Sequence, residues 1–303
     1  MAANTQYLVG TASWTDPTLV KTDLFYPKSV NTAEERLRFY AAHFNTVEVD
    51  SSYYTLLGEN TARAWSARTP AGFMFNIKAF ALLTQHGAEV ARLPTALKEL
   101  LGEQEKRQTR LTKPSPQVLD LAFEMFWSSI APLKEAGKLG MLLFQFPPYF
   151  VRNSRNLDYL GALRERLPQA DVAVEFRHPS WVAETQARRQ TMEFLRRHEL
   201  SYVSVDCPQG PSIVPSFFEA TTAQMYARFH GRNRETWFKK NITPAQRFKY
   251  LYAERELEEQ AARLKSVAGV RRAYVIFNNC YSNFGVMNAT TMAQILARPD
   301  KNA

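Results

Sequence analysis

Acidic, basic and amide side chains recur near the ends of short β-rich runs along this 303-residue chain. In these runs apolar and polar residues alternate, as in VEVD at 47–50, where Glu48 lies between Val47 and Val49. Side chains of a strand point alternately to its two faces, so the polar residues of a run share one face. Carboxylates and imidazoles on that face can transfer protons, and cations beside them can hold an anion.

The candidate residues fall into two groups according to this chemistry. The candidate catalytic groups are Glu48, Glu175, Asp206 and His230. The candidate substrate-binding groups at run ends are Lys78, Gln145, Arg177, His178, Trp181, Arg228, Asn278 and Asn279. Buried ionisable groups cost several kcal/mol each unless they are paired, so a fold that retains this many of them has a use for them.

That use is either functional or structural, and the sequence leaves both interpretations open. In the structural interpretation, the carboxylates only neutralise Lys78, Arg177 and Arg228 in a network that caps a core. The motif FRHPSW at 176–181 favours the functional interpretation, because its Arg, His and Trp all follow one strand.

Eight β-rich runs carry these candidates and alternate with amphipathic segments. The predicted strands are 7–12, 44–50, 73–78, 139–146, 171–177, 201–206, 225–230 and 272–278, and the clearest predicted helices are 32–43, 117–136, 185–198, 244–267 and 288–297. Regular βα alternation over eight strands is typical of a closed barrel, and no GxGxxG or GxxxxGK[ST] turn indicates a doubly wound sheet. We predict a single-domain (β/α)8 TIM barrel over 1–303, with its core at about 7–298.

Strand alternation then predicts which residues point into this barrel. The predicted inward residues include Glu48 and Asp50, Asn76 and Lys78, Glu175 and Arg177, Ser204 and Asp206, and Tyr226, Arg228 and His230. In the sixth strand this assignment places Val203 and Val205 on the helix side. The polar residues would then gather at the C-terminal ends of the strands, where barrel enzymes place their catalytic groups.

Two connections are long enough to reach over this end of the barrel. We expect residues 80–116, with the basic run KRQTRLTK at 106–113, to form an excursion over the strand ends. The segment GRNRETWFKKNIT at 231–243 mixes cations with aromatic residues and is predicted to be a partial lid.

Composition restricts the class of protein. With 45% hydrophobic and 22% charged residues the chain can bury a sizeable core. No apolar run reaches the roughly 18 residues that span a bilayer, and the start lacks a signal-peptide pattern, so we expect a cytoplasmic protein without a membrane partner. The two cysteines, Cys207 and Cys280, form no metal or disulfide motif, and we predict neither a metal nor a cofactor. The net charge of +9 favours anionic partners.

Seven ordered motifs cover nearly the whole chain. They are GTASW at 10–14, VEVDSSYY at 47–54, FNIKA at 75–79, LFQFPP at 143–148, VEFRHPSW at 174–181, RFHGRN at 228–233 and YVIFNNCYSNFGVMNA at 274–289. In these motifs the chain resembles the domain of unknown function 72 family, also called YecE-like. The resemblance implies a barrel of the kind seen in xylose-isomerase-like and endonuclease-like metal enzymes, with no established reaction. Trp14 and Tyr53 lie in these motifs, and we add them to the candidate substrate-binding residues.

Two departures from the family pattern affect the candidate site. Asp50 stands where the family usually has asparagine, which adds a carboxylate. After Lys78 the family commonly has a basic or Ser-rich stretch ending in Thr-His, whereas here AFALLTQH ends in Thr84, Gln85 and His86.

Three functional hypotheses follow, and the oligomeric state stays open. The first is an enzyme, a hydrolase, lyase or isomerase, with Glu48 and Glu175 as acid and base and cations that hold a small phosphorylated or carboxylated, sugar-like substrate. The second is a divalent-metal hydrolase or nuclease, disfavoured because nearby cations compete with a metal. The third is a non-enzymatic nucleic-acid-binding protein that uses the basic segments, although no binding module is recognised. We favour the first.

Overall fold

Eight parallel strands form the centre of the protein, whose computed structural model describes residues 5–210 and 212–298. The strands are β1 (Gln6–Thr11), β2 (Thr46–Val49), β3 (Met74–Lys78), β4 (Leu139–Gln145), β5 (Asp171–Glu175), β6 (Ser201–Asp206), β7 (Gln224–Phe229) and β8 (Arg272–Phe277). They pair in the order β1-β8-β7-β6-β5-β4-β3-β2. All eight predicted strands are confirmed, each to within two residues at either end, and so is the (β/α)8 barrel.

β1 and β2 close the barrel without a continuous ladder of hydrogen bonds. Ala12 and Glu48 form an isolated bridge, and the Tyr40 hydroxyl binds backbone groups of both strands. The Tyr40 hydroxyl accepts a hydrogen bond from the Thr11 N–H at 2.8 Å and lies 3.2 Å from the Thr46 carbonyl oxygen, to which it can donate. A Cβ atom at Gly10 would lie 2.0 Å from that same carbonyl oxygen. Glycine at position 10 therefore permits the close approach of these two strands.

Within residues 5–210 and 212–298, seven longer helices cover the outside of the barrel. They are α1 (Ala33–His43), α2 (Glu59–Ala67), α3 (Pro116–Glu135), α4 (Ser154–Arg166), α5 (Thr185–Arg197), α6 (Glu254–Lys265) and α7 (Phe284–Ala297). The described part of the β6–β7 connection, 207–210 and 212–223, contains no helix. Within the described ranges, no helix combines the length and the apolar character needed to cross a membrane.

Shorter elements lie in the connections. Helical turns occupy Pro17–Lys21, Ser51–Tyr53, Ala81–Thr84, Val90–Arg92, Thr95–Glu99, Glu103–Lys106, Pro179–Trp181, Arg234–Trp237 and Pro244–Arg247. In the excursion at 80–116, Ala88–Glu89 pairs antiparallel with Arg110–Leu111. This pairing brings the two ends of the excursion together beside the barrel.

The predicted helix at 244–267 is wrong in its first half. Pro244–Arg247 and α6 are separated by the non-helical residues 248–253. Asn288 binds both the backbone N–H and the carbonyl oxygen of Tyr252, at 3.1 and 2.9 Å, which holds the chain outside helical geometry. The predicted helix at 288–297 is present, but it begins earlier, at Phe284.

The assignment of faces in β6 is also wrong. Val203 and Val205 pack in the apolar interior of the barrel, whereas Asp206 points to the helix layer. The register shows this directly, since Val205 pairs with the inward Arg228 and Asp206 with the outward Phe229. A VSVD run presents apolar residues to one face only, and both the barrel interior and the helix layer accept them.

Candidate active site

A buried arginine joins two carboxylates at the C-terminal end of the barrel. Nη1 of Arg228 lies 2.5 Å from Oε2 of Glu175, and Nη2 lies 2.5 Å from Oε1 of Glu48. All three side chains are fully buried. Arg228 also donates to Oε1 of Gln145 at 3.2 Å. The guanidinium therefore occupies the space between the two carboxylates that we expected to act as acid and base.

Arg177 contacts this cluster from the solvent side, and its side chain is 20% exposed. Its Nε forms an ion pair with Oε1 of Glu175 at 2.5 Å, and Nη2 contacts Oε1 of Gln145 at 3.2 Å and Nε2 of His230 at 3.1 Å. Nη1 makes no hydrogen bond to any residue that the structure describes. This N–H group is available to a ligand, because a guanidinium only donates.

His230 is a buried, neutral imidazole. Burial, together with the charges of Arg177 and Arg228, lowers its pKa to about 3. Nη2 of Arg177 lies 3.1 Å from Nε2, and Nδ2 of Asn278 lies 2.8 Å from Nδ1. Because a neutral imidazole accepts through only one ring nitrogen, the ring accepts a hydrogen bond from one of these two groups. The ring packs against Phe248, with centroids 5.5 Å apart. His230 therefore orients Arg177 in this structure.

Lys78 and Asp50 form an ion pair whose charges act on Glu48 of the cluster. Nζ lies 3.1 Å from Oδ1 of Asp50 and 5.0 Å from the centre of the Tyr53 ring. Their side chains are 15% and 29% exposed. Burial raises the pKa of Asp50, but Lys78 and Arg228 outweigh it, so the pKa is lowered and the carboxylate is ionised.

The two deep carboxyl groups have pKa values shifted in opposite directions. Burial opposes ionisation of Glu175, but Arg177 and Arg228 hold its pKa well below the usual value. Burial raises the pKa of Glu48. The charge of Arg228 lowers it and the charge of Asp50 raises it, and the net shift is upward. Glu48 Oε2 also accepts a hydrogen bond from the Tyr226 hydroxyl at 2.8 Å. Glu175 therefore stays ionised, while Glu48 takes up a proton first as the pH falls.

His86, in the excursion, adds a second neutral imidazole near the cations. Its Nδ1 lies 2.8 Å from Oγ1 of Thr84, and its ring meets the Tyr53 ring edge-on at 5.2 Å. Its pKa is lowered to about 4, mainly by burial and to a smaller extent by the charges of Lys78 and Arg177. The sequence singled out His86 only as a departure from the family pattern, and a loop residue gives no periodic signal of its position.

The structure brings most of the predicted site residues together. The cluster at the C-terminal end of the barrel contains Glu48, Gln145, Glu175, Arg177, Arg228, His230 and Asn278, which are joined by direct contacts. Lys78 and Tyr53 contact each other, and Lys78 joins them to the cluster through its electrostatic effect on Glu48. Asp50 and Tyr226 also belong to it. Strand alternation had turned both inward, but neither was assigned a role.

Two predicted aromatic residues lie in the core. Trp181 is completely buried between the rings of Phe150 and Phe176, and its indole N–H donates to the Phe150 carbonyl oxygen at 2.7 Å. Trp14 packs edge-on against Trp65 at 5.1 Å. In this structure both support the walls of the barrel and do not line its mouth.

Three predicted polar residues have partners elsewhere. Nδ1 of His178 accepts from the Ser180 N–H at 3.1 Å and so begins the helical turn after β5. Asn279 donates to the Tyr250 carbonyl oxygen at 2.8 Å, which anchors the segment before α6. Asp206, turned outward, binds Arg232 instead of joining the cluster.

These residues do not fit a divalent metal. Among residues 5–210 and 212–298, no three His, Cys, Asp or Glu side chains are grouped so that they could hold an ion. The carboxylates of Glu48 and Glu175 already face Arg228, whose charge opposes a cation at the same place.

Fold and site together define a TIM barrel with a charged cluster at the strand ends where such barrels carry their active sites. A family model described as "Protein of unknown function DUF72" matches residues 8–303, and the chain belongs to this family. It is 29% identical to the UPF0759 protein YunF of Bacillus subtilis, over 95% of this chain and 94% of that protein.

Two solved structures of the family have the same fold. A DUF72 family protein from Thermotoga maritima is 31% identical, with a TM-score of 0.75 over 97% of this chain and 100% of that one. One from Enterococcus faecalis is 26% identical, with a TM-score of 0.77 over 97% of this chain and 96% of that one. Membership of the family therefore agrees with the fold and leaves the reaction open.

Proposed function

We propose that the protein is an enzyme that binds a small anionic substrate at the barrel mouth and acts on it by proton transfer. The observation that carries this proposal is the arrangement of Lys78 and Arg177. Both are partly exposed and keep N–H groups that are not used within the described chain, while two of the nearby carboxylates are buried beneath them. A phosphate or carboxylate group can complete the hydrogen bonding of both cations.

Two groups can exchange protons with such a substrate, His86 and Asp50, and both lie at the rim of the barrel mouth near Lys78. His86 is neutral and half-buried, and the structure gives its Nε2 no hydrogen-bond partner among the described residues. Asp50 is an ionised, partly exposed carboxylate beside Lys78. Glu48, Glu175 and His230, our first candidates, are buried and act here as positioning residues for the cations. Hydrolysis, elimination and isomerisation all require acid–base groups beside the substrate, so each remains within the proposal.

Binding of inorganic phosphate or a small sugar phosphate, measured by calorimetry, tests this proposal. Lys78→Met and Arg177→Met should each weaken binding by roughly one to two orders of magnitude, the usual effect of losing a charge-assisted contact. Lys134→Met is the matched control, because Lys134 is exposed at the C-terminal end of α3, near the opposite end of the barrel. Equal affinities in all four proteins, or no binding of any anion by the wild type, would exclude this site as the anion-binding site.

A further inference from the structure

Two tyrosines at the rim of the site expose their rings and yet are held in place. Tyr54 is 59% exposed and Tyr149 is 64% exposed. The ring of Tyr54 meets that of Tyr53 at nearly a right angle, with centroids 5.0 Å apart. The Tyr149 hydroxyl donates to the Gln85 carbonyl oxygen at 2.8 Å. Both rings are positioned in advance, and each keeps surface free for contact.

These tyrosines belong to the same rim as the cations. Tyr53 contacts Tyr54 on one side, and its ring also contacts Nζ of Lys78 and the imidazole of His86. Tyr149 is joined to Gln85, the residue before His86. Arg110 extends the rim, because its Nη2 donates to the carbonyl oxygen of Gly87, the residue after His86. Exposed rings and cations thus form a continuous chain of contacts around the mouth.

We infer that the substrate of the proposed enzyme is a phosphate ester that carries a flat aromatic ring, the chemistry of a nucleotide. This inference rests on the proposed function, since the phosphate would bind Lys78 and Arg177. The ring would then stack on Tyr54 or Tyr149, as bases stack on exposed tyrosines in other nucleotide-binding surfaces. A mononucleotide and the phosphorylated end of a single-stranded oligonucleotide share this chemistry.

Calorimetry with three ligands separates the contribution of the aromatic ring to the binding affinity from that of the phosphate. The ligands are inorganic phosphate, ribose 5-phosphate and adenosine 5′-monophosphate, and the proteins are the wild type, Tyr54→Ala and Tyr149→Ala. We expect the wild type to bind the nucleotide about tenfold more tightly than ribose 5-phosphate, the usual effect of one stacked base. At least one alanine variant should lose this preference while its affinity for inorganic phosphate stays the same.

Tyr54→Phe is the matched control, because it keeps the ring and should keep the preference. A wild type that binds both organic phosphates equally would overturn this inference and leave the proposed anion site standing, as would a preference that survives both alanine substitutions. A wild type that binds no phosphate compound would overturn both. If a 5′-phosphorylated oligonucleotide binds more tightly than the mononucleotide, the substrate is the end of a nucleic-acid strand. If it binds equally or more weakly, the substrate is the free nucleotide.

Discussion

Arg228 is the residue on which the buried part of the site depends. Its guanidinium touches carboxylate oxygens of Glu48 and Glu175, and none of the three side chains is exposed. The attraction between these charges compensates the cost of removing them from water only while all of them are present. Arg228 therefore fixes both carboxylates, and Glu175 in turn fixes Arg177, which reaches the mouth. The structure favours this role over the direct substrate contact that the sequence predicted.

Replacing Arg228 should cost stability before it affects ligand binding. Arg228→Met leaves two buried carboxylates without their cation, and loss of one partner of a buried pair typically destabilises by about 3 to 5 kcal/mol. The free energy of unfolding, measured in urea, should fall by this amount. Arg38→Met, at an exposed ion pair on α1, is the control and should change it by less than about 0.5 kcal/mol. A stable Arg228→Met protein would show that the carboxylates do not need this cation.

Strand alternation in the sequence predicts most inward residues of the site and fails at Asp206. It succeeds for Glu48, Lys78, Glu175 and Arg228 because in those strands the apolar residues face the thick helix layer. It fails in β6 because the barrel interior is apolar as well, so the pattern alone cannot say which face is which. Rim residues such as His86 are placed by loop contacts, which have no periodicity.

At the scale of elements, the segment 231–253 is fastened to the barrel by the outward carboxylate of Asp206. Arg232 binds both oxygens of Asp206 through Nε and Nη2, at 2.8 to 3.2 Å, and also binds Glu256 of α6 at 3.0 Å. The Tyr252 hydroxyl donates to Asp206 at 2.6 Å. Because the same segment carries Phe248 against His230, this anchor positions one side of the site.

Weakening the anchor should loosen the segment and leave the barrel intact. Asp206→Asn keeps an acceptor for Tyr252 but loses the ion pair with Arg232, a contact worth about 1.5 to 3 kcal/mol. Hydrogen–deuterium exchange of peptides from 231–253 should become roughly 10 to 100 times faster, while peptides from β3 to β5 keep their rates. The control is Glu219→Gln, which removes an exposed ion pair with Arg196. Unchanged exchange in 231–253 would show that other contacts hold the segment.

The strands were predictable because a buried parallel strand must be short, apolar and bounded by turns, whatever its neighbours are. The helix at 244–267 was not, because residues 248–253 are compatible with a helix in isolation. Asn288, far along the chain, takes the backbone groups of Tyr252 that a helix would use. A tertiary contact of this kind leaves no local trace in the sequence.

The whole molecule separates apolar and charged layers along the barrel axis. Apolar side chains such as Leu8, Met141 and Val203 fill the interior, and the ion cluster lies at the C-terminal strand ends. The apolar layers need no partner, whereas the charged layer is stable only with its groups in one set of protonation states. Global stability should therefore depend on pH through this layer, and His230 gives the clearest case because it is buried in its neutral form.

Stability should fall as the pH is lowered from 6.5 to 5. In the unfolded chain a histidine has a pKa near 6.5, whereas burial and Arg177 lower the pKa of His230 to about 3. Between these values the unfolded chain binds a proton that the folded protein excludes, so the free energy of unfolding decreases as the pH falls. The contribution of His230 over this interval is about 1.5 kcal/mol.

His230→Gln removes this contribution, so the unfolding free energy of the wild type minus that of the variant should decrease by about 1.5 kcal/mol as the pH falls from 6.5 to 5. Glu48 acts with the opposite sign, because its pKa is raised in the folded state and protonation there favours folding. Comparing the pH dependence of two proteins that both contain Glu48 cancels this effect. His43→Gln, at an exposed position on α1, is the control in which a histidine outside the site is replaced in the same way. Parallel curves for wild type and His230→Gln in urea denaturation between pH 5 and 6.5 would mean that folding does not lower the pKa of His230.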